Sequence, residues 1–172
     1  MDLIVEQDHR DAPWTARWGA ERFRCAIGRS GAISALAKRE GDGATPRGAW
    51  PLERLFWRPD RGLRPETAVP AQPITISDGW CDAPLDTAYN RLVQRPFASS
   101  HETLWRKDEL YDLLVVLSYN RSPILPFAGS AIFLHCAKRN YPPTAGCVAL
   151  ARPDLEKVLA QARLGDRVVV VG

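Results

Sequence analysis

Phe23, Cys25 and Ile27 alternate with Arg22, Arg24 and Ala26. Side chains two apart share one face of a strand, so this stretch predicts a half-buried strand. Turn residues follow in Gly28-Arg29-Ser30-Gly31, and 32–37 is expected to return as the second strand of a hairpin. Another turn is expected at Gly41-Asp42-Gly43, before Thr45-Pro46-Arg47-Gly48-Ala49-Trp50. Residues 59–73 carry four prolines and little periodicity, which predicts an extended surface connection. Short strands are predicted over 74–77, 113–119, 131–136 and 167–171. Near the end, Pro153 suits a first helical position, and Asp154 and Glu156 favour the positive end of a helix dipole. Leu155, Val158, Leu159 and Ala162 then form one apolar stripe that Gly165 terminates. A second short helix is predicted over 101–112. No repeat or low-complexity tract divides the chain. The expectation is a single domain over residues 1–172, mainly β with one or two helices.

Composition supports a folded chain: of 172 residues, 45% are hydrophobic and 25% charged, the balance of a globular protein. The longest apolar runs, 113–117 among them, are far short of the roughly 20 residues that span a bilayer, so no transmembrane segment is expected. The start of the chain carries Asp2, Glu6 and Asp8 and no signal-length apolar stretch, which taken alone points to the cytoplasm. A net charge of +3 without a basic run argues against nucleic acid as a partner. The four cysteines, Cys25, Cys81, Cys136 and Cys147, include no CxxC pair, so neither a zinc ribbon nor a thioredoxin-like site is indicated. Cys25 alternates with Phe23 and Ile27 and reads as core.

The candidate chemistry lies between residues 130 and 150. Ser130-Ala131-Ile132-Phe133-Leu134-His135-Cys136 is an apolar strand ending in a histidine, and a proline-containing loop leads on to Thr144-Ala145-Gly146-Cys147. A thiol is a poor nucleophile until it loses its proton, and a nearby imidazole can accept that proton. Gly146 lets a substrate carbonyl approach the backbone, where free N–H groups stabilise an oxyanion. Spacing alone also fits a core histidine and a buried cysteine. Cys136, next to His135 on the strand, is expected to point to the opposite face.

Thr144-Ala145-Gly146-Cys147-Val148 resembles the Ser/Thr-x-Gly-Cys-Ile/Val signature of the YkuD-type L,D-transpeptidases, with His135 at the place of that family's upstream histidine. Thr45-Pro46-Arg47-Gly48-Ala49-Trp50 resembles its Thr-Pro-x-Gly-x-aromatic element. The likeness extends over 23–150 and implies a YkuD-like β-sandwich acting on peptidoglycan stem peptides or muropeptides. It implies Cys147 as nucleophile, His135 as acid and base, and an oxyanion hole from the N–H of Cys147 with that of Gly146 or Ala145. It implies no metal, no organic cofactor and a periplasmic or cell-wall setting, which conflicts with the absence of a visible export signal. The sequence leaves the oligomeric state open, with a monomer as the default expectation.

Three features depart from the family pattern. Cys136 replaces a usual glycine, the histidine-to-cysteine interval is only twelve residues, and Ala149 replaces an arginine. Arg139 or Arg152 is a candidate for the missing cation. The chain resembles a divergent branch marked by Gly-Cys-Val-Ala-Leu, by Asp78-Gly79-Trp80-Cys81-Asp82 and by His101-Glu102-Thr103-Leu104-Trp105-Arg106. Substrate-binding candidates are Thr144, Ala145, His101, Asp82, Tyr89, Trp105 and Arg139. His101 reads equally as a helix cap, Asp82 as an Asx-turn residue and Trp105 as packing beneath a helix. Three other functions compete: an L,D-carboxypeptidase using the same pair with water, a non-catalytic muropeptide-binding module, and a zinc site of Cys81, His101, His135 and Cys147. The last matches no short-range zinc spacing.

Overall fold

The computed structural model describes residues 1–171. Its strands are β1 (Asp2–Glu6), β2 (Thr15–Trp18), β3 (Glu21–Ala26), β4 (Ala32–Ser34), β5 (Thr45–Trp57), β6 (Ala71–Pro73), β7 (Asp78–Cys81), β8 (Leu92–Gln94), β9 (His101–Thr103), β10 (Leu113–Leu117), β11 (Phe133–Cys136), β12 (Val148–Leu150) and β13 (Arg167–Val170). The helix α1 (Arg152–Gln161) lies between the last two. The protein is mainly β, as the alternation and short apolar runs predict. No helix among the described residues is long and apolar enough to cross a membrane.

Two strands act as corners. The first half of β5 pairs with β13 (Gly48↔Val170 to Pro51↔Arg167), and its second half pairs with β10 (Leu52↔Leu117 to Trp57↔Leu113). β3 likewise pairs with β2 through Glu21–Arg24 and with β12 through Cys25 and Ala26. The path β10-β11-β12-β3-β2-β1-β13-β5 therefore returns to β10, folding one continuous sheet into two layers that share their corners. Between them lies the main core, which includes Leu3, Val5, Leu55, Val115, Leu134, Val148 and Val168, closed by Leu155, Val158 and Leu159 of α1.

A second core covers the outer face of the β10–β12 layer. Along β10, Leu113, Val115 and Leu117 enter the main core, while Leu114 and Val116 enter the second with Phe56, Trp80, Leu104, Tyr111 and Phe133. The small β8-β7-β9 sheet forms the cover through Trp80. This double burial explains why 113–117 is apolar without alternation. Each fully buried Leu or Phe side chain contributes roughly 1.5–3 kcal/mol, so the layer carrying the 130–150 segment is anchored from both sides. Cys25, Cys81, Cys136 and Cys147 are all buried free thiols.

Three local expectations are corrected. Only 32–34 of the expected 32–37 strand forms, and it pairs in parallel with β5 (Ala32↔Thr45) rather than with β3. Both edges of β3 are already occupied by β2 and β12. Residues 74–77 form a turn between β6 and β7, where the Asp78 carboxylate accepts from the Thr75 N–H at 2.7 Å. The predicted helix over 101–112 is absent. His101–Thr103 instead add to the edge of β7 (Cys81↔His101, Trp80↔Glu102), and turns follow that bury Leu104 and Tyr111. Tertiary pairing overrides local helix propensity there. The helix near the end forms and buries Leu155, Val158 and Leu159 as read from the sequence, but it ends at Gln161, with Ala162 as its extended C-cap, rather than at Gly165.

Candidate active site

β11 and β12 run parallel, with Leu134 opposite Val148 and His135 opposite Ala149. Cys147 immediately precedes this register, so His135 and Cys147 project to the same face. Leu134 and Cys136, one residue either side of His135, enter the main core, whereas Cys147 enters the second. Both His135 and Cys147 line a cavity of about 310 Å³ with Tyr111, Glu102, Thr144 and Ala149. Cys136 thus faces away from the cavity, as its place on the strand predicts.

The loop that presents Cys147 is held by the two segments singled out in the sequence. Thr45, fully buried, donates its hydroxyl to the Gly146 carbonyl at 2.8 Å and accepts from the Gly28 N–H at 2.8 Å. Thr144 donates its hydroxyl to the Cys147 carbonyl at 2.6 Å and accepts from the Gly146 N–H at 3.1 Å. Gly146 has φ 143°, and a Cβ there would lie 2.9 Å from the Ala44 carbonyl oxygen, so only glycine fits without displacing backbone. The Gly146 N–H is engaged by Thr144. The N–H groups of Cys147 and Ala145 are therefore better placed than that of Gly146 to receive an oxyanion.

His135 is buried and its Nδ1 lies 2.8 Å from the Cys136 carbonyl oxygen. A carbonyl only accepts, so Nδ1 carries the proton and Nε2 keeps a free lone pair. The Tyr111 ring meets the imidazole edge-on, with centroids 5.4 Å apart. Burial pushes the His135 pKa down to about 4, opposed by the Cys136 carbonyl and assisted by the nearby positive charge of Arg106.

Cys147 Sγ donates to the Ala131 carbonyl at 3.1 Å and accepts from the Phe133 N–H at 3.4 Å. Ala131 sits in the left-handed region at φ 52° and is fixed in turn by Asn90, whose Oδ1 accepts from the Ala131 N–H at 3.1 Å and from Trp80 Nε1 at 2.9 Å. Burial pushes the Cys147 thiol up to about 12, and the Glu102 carboxylate adds to the rise. The resting pair is therefore a neutral thiol beside a neutral imidazole, not a thiolate–imidazolium pair. Alkylation of Cys147 by iodoacetamide is accordingly expected to speed up about tenfold per pH unit from roughly pH 7 to 10. A rate already level at neutral pH would contradict the neutral-thiol state.

The remaining sequence candidates divide. Thr144 and Ala145 line the cavity. Asp82 does not line the cavity and acts on Glu102 electrostatically, with Oδ1 buried and unpartnered. Tyr89 is only 2% exposed, and its hydroxyl donates to Glu40 and accepts from the Gly129 N–H. It braces the loop leading to Ala131 and does not line a groove. His101 sits beside Phe97 over a separate depression, with Nδ1 2.7 Å from the Ser99 carbonyl oxygen. Trp105 packs beneath the Arg58 guanidinium, 3.9 Å from its ring centre. Arg139 is exposed and does not line the cavity, while Arg152 pairs with Asp112 and Glu156. The cations at the cavity are Arg106 and Lys138. Cys81 and His101 pair across β7 and β9 and do not line the cavity that holds His135 and Cys147, so the four proposed zinc ligands do not assemble. Among the described residues, no three His, Cys, Asp or Glu side chains come together as a metal site.

Glu102, Arg106, Tyr111 and Lys138 are missed by sequence reasoning. The helix predicted over 101–112 conceals the first three, because it makes Glu102 and Arg106 neighbours on one helical face, and Lys138 stands in the loop after β11 with no motif to mark it. In the fold Arg106 turns instead to Asp108, at 2.7 and 2.8 Å. Recognising 101–103 as a strand partner of 79–81 is the signal that places Glu102 at the cavity.

No curated protein matches the chain. Among solved structures it is similar to Bd1075 of Bdellovibrio bacteriovorus, at 16% identity and a TM-score of 0.45, over 98% of this chain and 46% of that one. The chain thus spans less than half the length of that protein. A family model, described as the L,D-transpeptidase catalytic domain YkuD, matches residues 4–170. That match takes in both corner strands, the Thr45 segment, His135 and Cys147, and with it the chain belongs to the YkuD family of L,D-transpeptidase catalytic domains.

Proposed function

We propose that this chain is a cysteine-dependent L,D-transpeptidase acting on peptidoglycan stem peptides, with Cys147 as nucleophile and His135 as its base. The supporting observation is the placement of a thiol and a neutral imidazole with a free Nε2 on adjacent strands of one cavity. As the donor carbonyl arrives, the thiol leaves Ala131 and gives its proton to His135 Nε2. Sγ bonds to the carbonyl carbon, and the charge that develops on oxygen is met by the N–H groups of Cys147 and Ala145. The imidazolium then protonates the departing amine of the terminal D-alanine, the C–N bond breaks and a thioester remains. Attack by an amine restores the thiol and forms the new amide, a 3→3 cross-link or an exchanged terminal residue.

Arg106 and Lys138 supply the positive side of the cavity, suited to a carboxylate of the stem peptide. This is the charge that neither Ala149 nor Arg139 provides. Incubation with a disaccharide tetrapeptide, followed by mass spectrometry of the products, tests the reading. A cross-linked dimer lacking one D-alanine is expected. Free tripeptide as the sole product would make the protein an L,D-carboxypeptidase, and bound but unaltered substrate would make it a binding module.

A further inference from the structure

Glu102 is the one charged cavity group that the first half of this reaction does not use. β9 places it opposite Trp80 on the neighbouring strand, and its Oε2 accepts from the Tyr111 hydroxyl at 2.6 Å. Oε1 has no protein hydrogen bond among the described residues, and no lysine or arginine there forms a salt bridge with it. Arg106, whose guanidinium stands 5.2 Å from the Tyr111 ring centre, is held by Asp108 instead. Asp82 and Glu40 add negative potential at Glu102, which the Arg106 charge opposes without pairing with it. A carboxylate without a counterion beside the nucleophile works against catalysis of acylation, since it disfavours the thiolate. Its placement suits a step in which a cation enters the cavity. The cation that the reaction itself brings to this cavity is the ammonium of the acceptor amine.

We propose that Glu102 binds the ammonium group of the acceptor and takes its proton, so that the free amine attacks the Cys147 thioester. Lys138 lines the same cavity and forms no salt bridge among the described residues, so the acceptor class is the zwitterionic end of an amino acid, ammonium toward Glu102 and carboxylate toward Lys138. The proposal rests on the transpeptidase reading above. The step balances as follows: the ammonium gives one proton to Glu102, and the amine nitrogen bonds to the thioester carbonyl. The C–S bond breaks, and the second proton passes through His135 to the departing sulfur. One amide and one thiol form, and Glu102 returns its proton to solvent. Burial raises the Glu102 pKa above the usual carboxylate range, which makes it a better acceptor of that proton.

The test measures how the thioester, formed with a disaccharide tetrapeptide, partitions between water and a free D-amino acid, in the wild type and in Glu102→Gln. Only molecules folded well enough to acylate are counted in this ratio, so impaired folding does not mimic the effect. Loss of a charge-assisted contact predicts a fall of at least about tenfold in the aminolysis-to-hydrolysis ratio. The variant's ratio is also expected to recover as pH rises and the acceptor loses its proton unaided, and Glu102→Asp is expected to restore part of it. In the wild type, replacing the D-amino acid by its amide is expected to weaken aminolysis. An unchanged ratio in Glu102→Gln, or a wild-type thioester whose fate is indifferent to amine, overturns the proposal while leaving Cys147 acylation standing. Absence of any thioester in the wild type overturns instead the reading on which it rests.

Discussion

Cys147→Ala is expected to abolish D-alanine release and covalent capture of the stem peptide, a loss of at least about 10⁴-fold in turnover. No other thiol stands ready to substitute. Cys25 and Cys136 lie in the main core with their pKa values pushed up to about 12 by burial, and Cys81 is buried within the small sheet at the end of β7. None of the three lines the cavity. Affinity for the tetrapeptide should survive the substitution, because the cavity's charged groups remain. Turnover assays and calorimetric titration of the variant check both halves. Retained turnover would move the nucleophile elsewhere, and lost affinity would make the thiol a binding group.

The second large effect concerns the base. Removing His135 by substitution with glutamine is expected to lower kcat/KM by about 10²–10⁴-fold at neutral pH. The sign of its pH dependence follows from its burial. Because the His135 pKa is depressed to about 4, the imidazole is neutral and able to take a proton throughout the neutral range, and loses that capacity only as pH falls toward 4. Acylation by the wild type should therefore hold its rate down to weakly acidic pH. The variant must find its thiolate by direct ionisation of a thiol held near 12, so its rate should climb about tenfold per pH unit on the alkaline side. Single-turnover acylation measured across pH distinguishes the two curves. A wild-type acid limb near the ordinary histidine pKa would show that the site opens to water before reacting.

The site was legible where a motif maps onto contiguous chain and obscure where distant segments cooperate. Thr144 to Val148 and His135 announce themselves, and the Thr45 segment proves to be the same site, since its hydroxyl holds the Gly146 carbonyl. The hydrogen bond from His135 Nδ1 to the Cys136 carbonyl uses backbone alone, so cysteine serves there where the family pattern has glycine. The corner strand β5 escaped prediction because Pro46, Gly48 and Pro51 interrupt its pattern just where it passes between sheet layers. Glu102 and Tyr111 were hidden for a different reason. Their positions depend on 101–103 pairing with β7, a contact between segments some twenty residues apart that no local period records. Tyr89, a substrate-binding candidate in the sequence, is instead with Asn90 a buried support of the segment carrying Ala131, whose carbonyl holds the thiol.

The central claim is that the protein forms a thioester on Cys147, and intact-protein mass spectrometry after rapid acid quench reads it directly. Mixing the wild type with a disaccharide tetrapeptide should add the mass of the muropeptide less D-alanine, located by peptide mapping to Cys147 and absent from Cys147→Ala. Substrate consumed without that adduct, or an adduct mapped to any other residue, would contradict the account.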